Sequence, residues 1–342
     1  MVIRASVPAA ILIAATAAIS AGLQMAQRFT GPLELHQRYG AYGGAKFATG
    51  AKEYPRSVED LEGYALKVSR PVRTIASQFW SIDDFVYTIT PPEGVVAVSE
   101  YAFEQKYSNV FQWADLFHPA VATDPEIILK LDPDLLLVSS DARADFTHLL
   151  RTAGTPTFRM FTGFTKVREI PPSIRLIGYL TGHDGEAESL ATNFEAAIHK
   201  AETRKPATMA PPRVLGFAGR YSYGDQTMFD DIIRTLGGIN VGSENGLHGY
   251  SPLNSEQILA WNPEWIISGA NRGETQTVMR ALLDDPAVAI TSAAQNGRII
   301  VLENNVFMPM SPYTRLVLDA IGNALYGPPP VQKPTEESKD KP

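Results

Sequence analysis

The 342-residue chain contains no cysteine. Disulfide bonds, thiolate metal sites, a cysteine nucleophile and a lipid-modified N-terminal cysteine are therefore all excluded. Long basic runs are also lacking and the formal net charge is −7, which argues against a nucleic-acid partner. The six histidines are scattered, with no HExxH pattern and no closely spaced pair, so we expect no metal site built by the protein and no intrinsic cofactor.

The motifs of common enzyme classes are missing as well. The sequence has no G-x-S-x-G, no G-x-x-x-x-G-K and no G-x-G-x-x-G after its first strand-like run. The pairs Asp83–Asp84 and Asp230–Asp231 would suit carboxylate acid–base chemistry, but both fall in amphipathic helical segments. We predict exposed helix faces for them. The chain is therefore expected not to be an enzyme, and a secreted enzyme on the same fold is the alternative.

The two ends of the chain carry strong compositional signals. Arg4 precedes an uncharged run from Ala5 to Leu23, which predicts an export signal over residues 1–26 and hence a periplasmic location. The alternative is an uncleaved membrane anchor, which would suit a structural or sensing module, because the run is almost long enough to span a bilayer. Residues 27–71 are predicted to be an irregular extension, and residues 327–342 a disordered tail.

One stretch of the sequence occurs twice, with differences. The segment DPEIILKLDPDLLLV at 124–138 matches NSEQILAWNPEWIIS at 254–268 with an offset of 130 residues, and Glu126 meets Glu256. Elsewhere, IDDFVYTI resembles FDDIIRTL, and each follows a strand-like run. Each copy of the longer repeat reads as a helix start, a helix, a turn and a short apolar strand of the kind found in parallel sheets. The chain therefore consists of two similar halves.

Alternation of strands and helices in each half predicts an α/β fold with two Rossmann-like lobes, each built on a parallel sheet. The segment 184–204 has apolar residues at helical spacing, so it predicts one long rigid helix, roughly 30 Å in length, between the lobes. The predicted boundaries are 72–172 for the N-terminal lobe, 173–206 for the connecting helices and 207–326 for the C-terminal lobe.

Over roughly residues 54–326 the chain resembles the periplasmic substrate-binding proteins of ABC importers for iron–siderophore complexes, cobalamin and haem. The segments that carry the resemblance are, in order, VRTIAS, VVAVSE, DPEIILKLDPDLLLVSS, IRLIGYLTGHDGEAESLATNFEAAI, SEQILAWNPEWIIS and GRIIVLENNVF. The resemblance implies a monomer that holds its ligand between two lobes and delivers it to a permease dimer with its ATPase subunits. A ferric siderophore is expected first, cobalamin second and haem third.

The resemblance also implies that Glu126 and Glu256 dock onto arginines of the two permease subunits. Two carboxylates at a fixed separation can meet two positive pockets together, so that the two contacts reinforce one another. Each glutamate would also suit the first turn of a helix for a local reason, because a carboxylate there meets the positive end of the helix dipole.

Loops after the strands are expected to line the ligand cleft. These loops are rich in aromatic and arginine residues, which suit a large, partly planar ligand with negative oxygens. The predicted ligand-binding residues are Trp80, Tyr101, Arg143, Phe161, Arg220, Tyr221 and Arg272. The aromatics would equally fit a lobe core, and the arginines a solvated cleft rim. Tyr101 or Tyr221 would suit haem iron, and His248 is the histidine that merits a ligand hypothesis.

Overall fold

The computed structural model describes residues 53–327. The predicted export signal over 1–26, most of the predicted extension over 27–71 and all but the first residue of the predicted tail over 327–342 lie outside that range. Among the described helices, none joins sufficient length to sufficient apolar character to cross a bilayer.

The described part begins with an antiparallel hairpin, in which β1 (Arg56–Glu59) pairs with β2 (Ala65–Val68). The prediction of irregular structure is therefore wrong for this part of the 27–71 segment. Each strand has only four residues, too few for an alternating apolar pattern to stand out in the sequence. The Arg56 guanidinium attaches the hairpin to the connecting helices, because it donates to the Tyr179 carbonyl at 2.7 Å and to the Asp184 carboxylate at 2.8 Å.

The N-terminal lobe is built on a five-stranded parallel sheet of order β5-β4-β3-β6-β7. The run DLLLVSS forms a fully buried interior strand, because a strand covered by helices on both faces needs apolar residues throughout. The strands are β3 (Ile75–Ser77), β4 (Val95–Val98), β5 (Ala120–Val121), β6 (Leu135–Ser139) and β7 (Thr157–Met160). The helices are α1 (Trp80–Ile89), α2 (Phe111–Phe117), α3 (Pro125–Leu131) and α4 (Ala144–Thr152).

Two long helices join the lobes, α5 (Ile170–Thr181) and α6 (Asp184–Glu202). The chain turns between them at Gly182, whose φ of +85° favours glycine. The helices approach so closely that a Cβ on Gly178 would stand 2.2 Å from that of Ala187. The predicted rigid helix is confirmed, and its 19 residues make a rod of about 28 Å.

The C-terminal lobe has a six-stranded sheet of order β11-β9-β8-β12-β13, with β10 also paired to β8. Four strands are parallel, but β9 runs against both of its neighbours, so the sheet is mixed where a wholly parallel one was predicted. The double reversal makes β11 run in the direction of β8. The strands are β8 (Arg213–Ala218), β9 (Tyr221–Tyr223), β10 (Ile239–Asn240), β11 (Tyr250–Pro252), β12 (Trp265–Ala270) and β13 (Ile299–Glu303).

The helices of this lobe are α7 (Met228–Thr235), α8 (Val241–Glu244), α9 (Ser255–Trp261), α10 (Thr275–Asp284), α11 (Pro286–Ala289), α12 (Ser292–Gln295), α13 (Asn304–Phe307) and α14 (Thr314–Tyr326). The last of them packs on α6, and Lys200 pairs with Asp319 there at 2.9 Å. The predicted α/β fold with two lobes joined by one long helix is thus confirmed.

One continuous apolar core runs through both lobes. It includes Phe85 of α1, Phe194 of α6 and Ile233 of α7, all fully buried. Smaller clusters cover the outer face of each sheet, around Ile128 in one lobe and Ile258 in the other. Because the main core crosses from one lobe to the other through α6, the lobes are held at a fixed mutual placement.

Candidate functional site

The carboxyl ends of the strands in the two lobes face one another. The backbone NH of Arg272, after β12, donates to the Lys106 carbonyl after β4 at 2.9 Å. The Asn109 side chain donates to the Asn305 carbonyl, which follows β13, at 2.8 Å. Loops of this kind form the ligand crevice of open α/β sheets. The crevice between these facing edges is therefore the candidate site. The two hydrogen bonds between the lobes close it along part of its length.

The predicted exposure of Asp83 and Asp84 is wrong, because α1 is enclosed and nearly all its residues are buried. Asp83 accepts hydrogen bonds from the hydroxyls of Ser77 and Ser99 within its own lobe. Asp84 accepts one at 2.7 Å from Ser311, which belongs to the C-terminal lobe. Burial raises the pKa of Asp83 to about 8 and that of Asp84 to about 7.

The second aspartate pair repeats this arrangement in α7. Asp230 is buried, contrary to prediction, and its carboxylate binds Asn240 at 3.0 Å and Arg234 at 2.7 Å within the C-terminal lobe. The Asp231 carboxylate accepts a hydrogen bond from the backbone NH of Val167, in the other lobe, at 2.8 Å. In both helices the first aspartate stabilises its own lobe and the second joins the two lobes. The aspartate pairs thus have structural partners in place of an acid–base arrangement.

Two predicted aromatic residues lie at strand ends of the N-terminal lobe, each beside a second aromatic ring. Trp80 opens α1 after β3, and its ring centroid lies 5.7 Å from that of Phe79. Tyr101 lies in a short 3-10 helix after β4, 6.1 Å from Tyr107 between ring centroids. All four rings are at least partly exposed. They give this lobe accessible aromatic surface at the edge where its strands end.

Phe161 and Arg143 have other contacts. Phe161 is only 8% exposed, and its ring packs edge-on against Phe164 at 5.6 Å. Arg143 precedes α4 and is highly exposed, and its guanidinium pairs with Asp145 at 2.5 Å. The Asp145 partner raises the pKa of Arg143 above its usual range. Little of the Phe161 ring is accessible to a ligand, and Arg143 already has a carboxylate partner.

In the C-terminal lobe, Arg220 and Tyr221 lie together at the turn from β8 into β9. Arg220 is exposed and Tyr221 partly exposed. Arg272 has a different environment, because its guanidinium donates to the Gln105 carbonyl at 2.7 Å and to the Ser108 carbonyl at 3.4 Å across the cleft. Arg272 thus joins the lobes, whereas Arg220 and Tyr221 are accessible at the turn between β8 and β9.

The sequence analysis missed an aromatic and methionine cluster in the C-terminal lobe. The Tyr223 ring contacts those of Tyr250 and Phe307 edge-to-face at 5.3 and 5.7 Å, and its hydroxyl lies 4.0 Å from the Met308 sulfur. Only a small cavity of about 20 Å³ lies among these residues. Burial raises the pKa of Tyr250 to about 12. The run FMPM after the last strand is the sequence signal for this cluster, because Phe161, a predicted ligand residue, follows the last strand of the other lobe.

No part of the described chain gathers three or more histidine or acidic side chains in a way that would hold a metal ion. His248 lies in the loop before β11, where its Nδ1 is 2.5 Å from an Asp225 carboxylate oxygen. The His248 side chain is largely exposed, and that of Asp225 is partly exposed.

Most polar side chains in the repeated stretch have structural partners. Asp124 and Asn254 cap α3 and α9 by accepting from backbone NH groups at 2.8 Å. Asp134 and Glu264 accept from the backbone NH of the strand beside them. The Asp132 and Asn262 positions that end the two helices have φ of 45° and 40°, a conformation that Asp and Asn tolerate.

Glu126 and Glu256 differ from these residues. Both are exposed, and across residues 53–327 neither carboxylate has an ion-pair partner. Each lies in the first turn of its helix, and each helix follows an edge strand that runs in the direction of the central strand of its sheet. The two glutamates therefore occupy equivalent places, at the strand-end side of each lobe.

Comparison with known proteins fits this geometry. Residues 79–306 match the family described as "Periplasmic binding protein". A cobalamin-binding protein of Halobacterium salinarum is 26% identical over 266 residues, which cover 75% of this chain and 70% of that protein. A vitamin B12-binding protein of Pectobacterium atrosepticum is 24% identical over 226 residues, covering 58% of this chain and 80% of that protein.

Solved structures share the fold. The apo periplasmic heme-binding protein RhuT from Roseiflexus sp. RS-1 aligns with a TM-score of 0.63 at 24% identity, covering 75% of this chain and 98% of that one. The periplasmic heme-binding protein HutB of Vibrio cholerae aligns with a TM-score of 0.63 at 21% identity, covering 74% and 98%. All these relatives are named as binding proteins. Since the family match spans more than half of its length, the chain belongs to the periplasmic binding protein family.

Proposed function

We propose that the protein is an extracytoplasmic solute-binding protein that captures a corrinoid of the cobalamin type and delivers it to the permease of an ABC importer. The observation that carries this proposal is the exposed aromatic surface on both sides of the cleft, Trp80 and Tyr101 on one lobe and Tyr221 on the other. Aromatic faces give a large rigid macrocycle extensive contact area at little entropic cost.

One consideration favours a corrinoid over the other chelates. The curated relatives are named for cobalamin, which moves cobalamin ahead of the ferric siderophore that the sequence alone placed first. Haem held by a protein commonly takes a His, Tyr, Cys or Met ligand on its iron. Exposed Tyr101 and partly exposed Tyr221 could supply such a ligand, so haem is the alternative cargo.

Four of the predicted residues remain as proposed ligand contacts, namely Trp80, Tyr101, Arg220 and Tyr221. Arg272 is proposed to act on the ligand indirectly, because its guanidinium holds the opposite lobe. Phe161, which is nearly buried, is proposed to pack beneath the cleft surface without touching the ligand. Exposed Arg143 is proposed to contribute positive charge at the margin of the cleft.

Titration of the purified protein with cyanocobalamin, hemin and a ferric hydroxamate siderophore tests the ligand class. We expect cyanocobalamin to quench tryptophan fluorescence at sub-micromolar concentration and to be recovered chemically unchanged. Trp80→Phe should remove most of the quenching, whereas Trp113→Phe, on the exposed surface of α2, should leave it intact. Binding of hemin or the siderophore alone would reassign the ligand, and turnover of any of the three would favour the secreted-enzyme alternative.

The proposed partner is a permease with two equivalent subunits that receive Glu126 and Glu256. Support comes from their exposure and from the structural roles of the polar residues around them. Replacing both glutamates by alanine should abolish uptake of labelled cobalamin in cells that depend on this protein, while ligand affinity stays within about twofold. The matched control is replacement of exposed Glu59 and Glu186 by alanine. Unchanged uptake in the Glu126/Glu256 double variant would refute the docking assignment.

A further inference from the structure

The repeated stretch also contains a leucine with no evident structural role. The repeated Ile128 and Ile258 are buried, as apolar residues of an amphipathic helix should be. Leu129 and Leu259 are identical as well, yet they are 39% and 40% exposed. The same apolar residue therefore stands in solvent to the same extent at the same position of both lobes.

Each exposed leucine lies beside the glutamate of its helix. Residues three apart in a helix are surface neighbours, so Leu129 flanks Glu126, and Leu259 flanks Glu256. The other exposed positions of these helices differ between the lobes. Lys130, for example, corresponds to an alanine in the second copy. What the two surfaces share is one carboxylate and one neighbouring leucine, which we call the Glu–Leu pair.

Duplication of this pair identifies the kind of partner that it fits. A partner with a single site would need one such surface, whereas two matching surfaces at a fixed separation fit a partner with two equivalent sites. Isolated exposed leucines also occur elsewhere in the described chain, for example Leu149 and Leu283, but the residues at the repeat offset from them are Met279 and Ala153. Repetition of an exposed leucine, and not exposure alone, therefore distinguishes Leu129 and Leu259.

We propose that Leu129 and Leu259 are apolar anchors of the permease-docking surface. Each enters an apolar pocket on one of the two equivalent permease subunits, next to the cationic group that receives the neighbouring glutamate. Buried apolar contacts around a charged pair exclude water and strengthen it, and such central anchors dominate the binding energy of interfaces. This inference rests on the proposed function, and it adds two residues and a second kind of interaction to the docking surface.

The test compares a leucine double variant with the glutamate double variant. Leu129→Ala/Leu259→Ala should weaken binding of the cobalamin-loaded protein to the detergent-solubilised permease by about tenfold or more, and each single change by less. The control pair is Leu149→Ala/Leu283→Ala, which removes equally exposed leucines and should bind as wild type. Thermal unfolding and cobalamin affinity, measured on every variant, show that the fold and the cleft are intact.

Salt dependence separates the two interactions. The loss caused by the leucine changes should be the same at low and high salt, whereas the loss caused by the glutamate changes should shrink as salt screens the ion pairs. Leu129→Met/Leu259→Met, which keeps an apolar side chain, should recover most of the binding. If the leucine variants bind normally while the glutamate variants do not, only the anchor inference fails. If both sets bind normally, the docking surface itself is wrong.

Discussion

At the scale of single residues, the aspartates of α1 and α7 illustrate how identical side chains take different roles. Asp83 is buried among donors of its own lobe, whereas its neighbour Asp84 binds Ser311 of the other lobe. In the same way, Asp230 binds a donor of its own lobe and Asp231 binds a donor of the other lobe. A buried carboxyl without such partners would cost several kcal/mol, so each aspartate depends on a specific donor.

The raised pKa of Asp83 predicts how stability varies with pH. An aspartate of the unfolded chain ionises near pH 3.9, whereas burial keeps Asp83 protonated to about pH 8 in the fold. The contribution of Asp83 to the free energy of unfolding is therefore fully present below about pH 4 and is lost as the pH rises towards 8. Asn at this position stays neutral. Between pH 5 and pH 8 the free energy of unfolding of Asp83→Asn should therefore fall by roughly 1–3 kcal/mol less than that of wild type.

Urea unfolding at several pH values measures this difference. The control is Asp115→Asn, which changes an exposed aspartate of the same lobe and should keep the wild-type dependence on pH. Parallel curves for wild type and Asp83→Asn would show that Asp83 is ionised in the fold throughout this pH range.

At the scale of elements, α6 determines the separation of the lobes. Its buried residues Ala187, Ala191, Phe194, Ile198 and Ala201 recur at helical spacing and face the common core. Arg175 of α5 binds two glutamates on the exposed side of α6, Glu188 at 2.8 Å and Glu195 at 2.6 Å. The two connecting helices therefore act as one rigid support and not as a flexible linker.

Truncating the central residue of α6 should destabilise both lobes together. Phe194 is fully buried, so Phe194→Ala should lower the free energy of unfolding by about 3–5 kcal/mol through lost burial and an unfilled cavity. Asn193→Ala, on the exposed side of the same helix, should change it by about 0.5 kcal/mol or less. Chemical denaturation followed by a probe in each lobe measures the effect. Separate transitions for the two lobes would contradict a shared core.

At the scale of the whole molecule, Arg272 joins the lobes at the cleft by donating to two carbonyls of the opposite loop, those of Gln105 and Ser108. If this bridge retains the ligand, Arg272→Ala should speed ligand release. Loss of hydrogen bonds worth about 0.5–1.5 kcal/mol each corresponds to a roughly tenfold faster dissociation rate.

Stopped-flow fluorescence with excess competing cobalamin measures this rate. Arg272→Lys keeps the charge but lacks the fork of donors, so an intermediate rate is expected. Arg280→Ala, at an exposed arginine on α10, is the control and should dissociate at the wild-type rate. A wild-type rate for Arg272→Ala would show that the bridge opens independently of ligand release.

Features determined by short-range signals could be predicted from the sequence. The helix start in each copy of the repeat and the apolar face of α6 follow from residue types at fixed spacing, and the structure confirms them. The burial of Asp84 could not be predicted, because its donor Ser311 lies 227 residues away along the chain. The reversed strand β9 was also missed, since three residues carry no reliable directional pattern.

The candidate site also has features that the sequence predicts and features that it does not. Trp80 and Tyr221 lie at strand ends because topology alone brings loops there. The bridge formed by Arg272 has no sequence signature, since its acceptors are backbone carbonyls that every residue possesses. Side-chain types thus indicate which loops face the cleft, and remote contacts decide which of their residues remain accessible.

The reciprocal bonds of Asp84 and Asp231 have a practical consequence for engineering. A chain severed in the exposed segment between α6 and β8 would yield two fragments, each with a carboxylate whose donor belongs to the other. Each fragment would lose one hydrogen bond to that group, and each would also expose part of the common core. The halves should therefore reassemble only with one another, which makes this scaffold suited to a split reporter whose signal is restored on complementation.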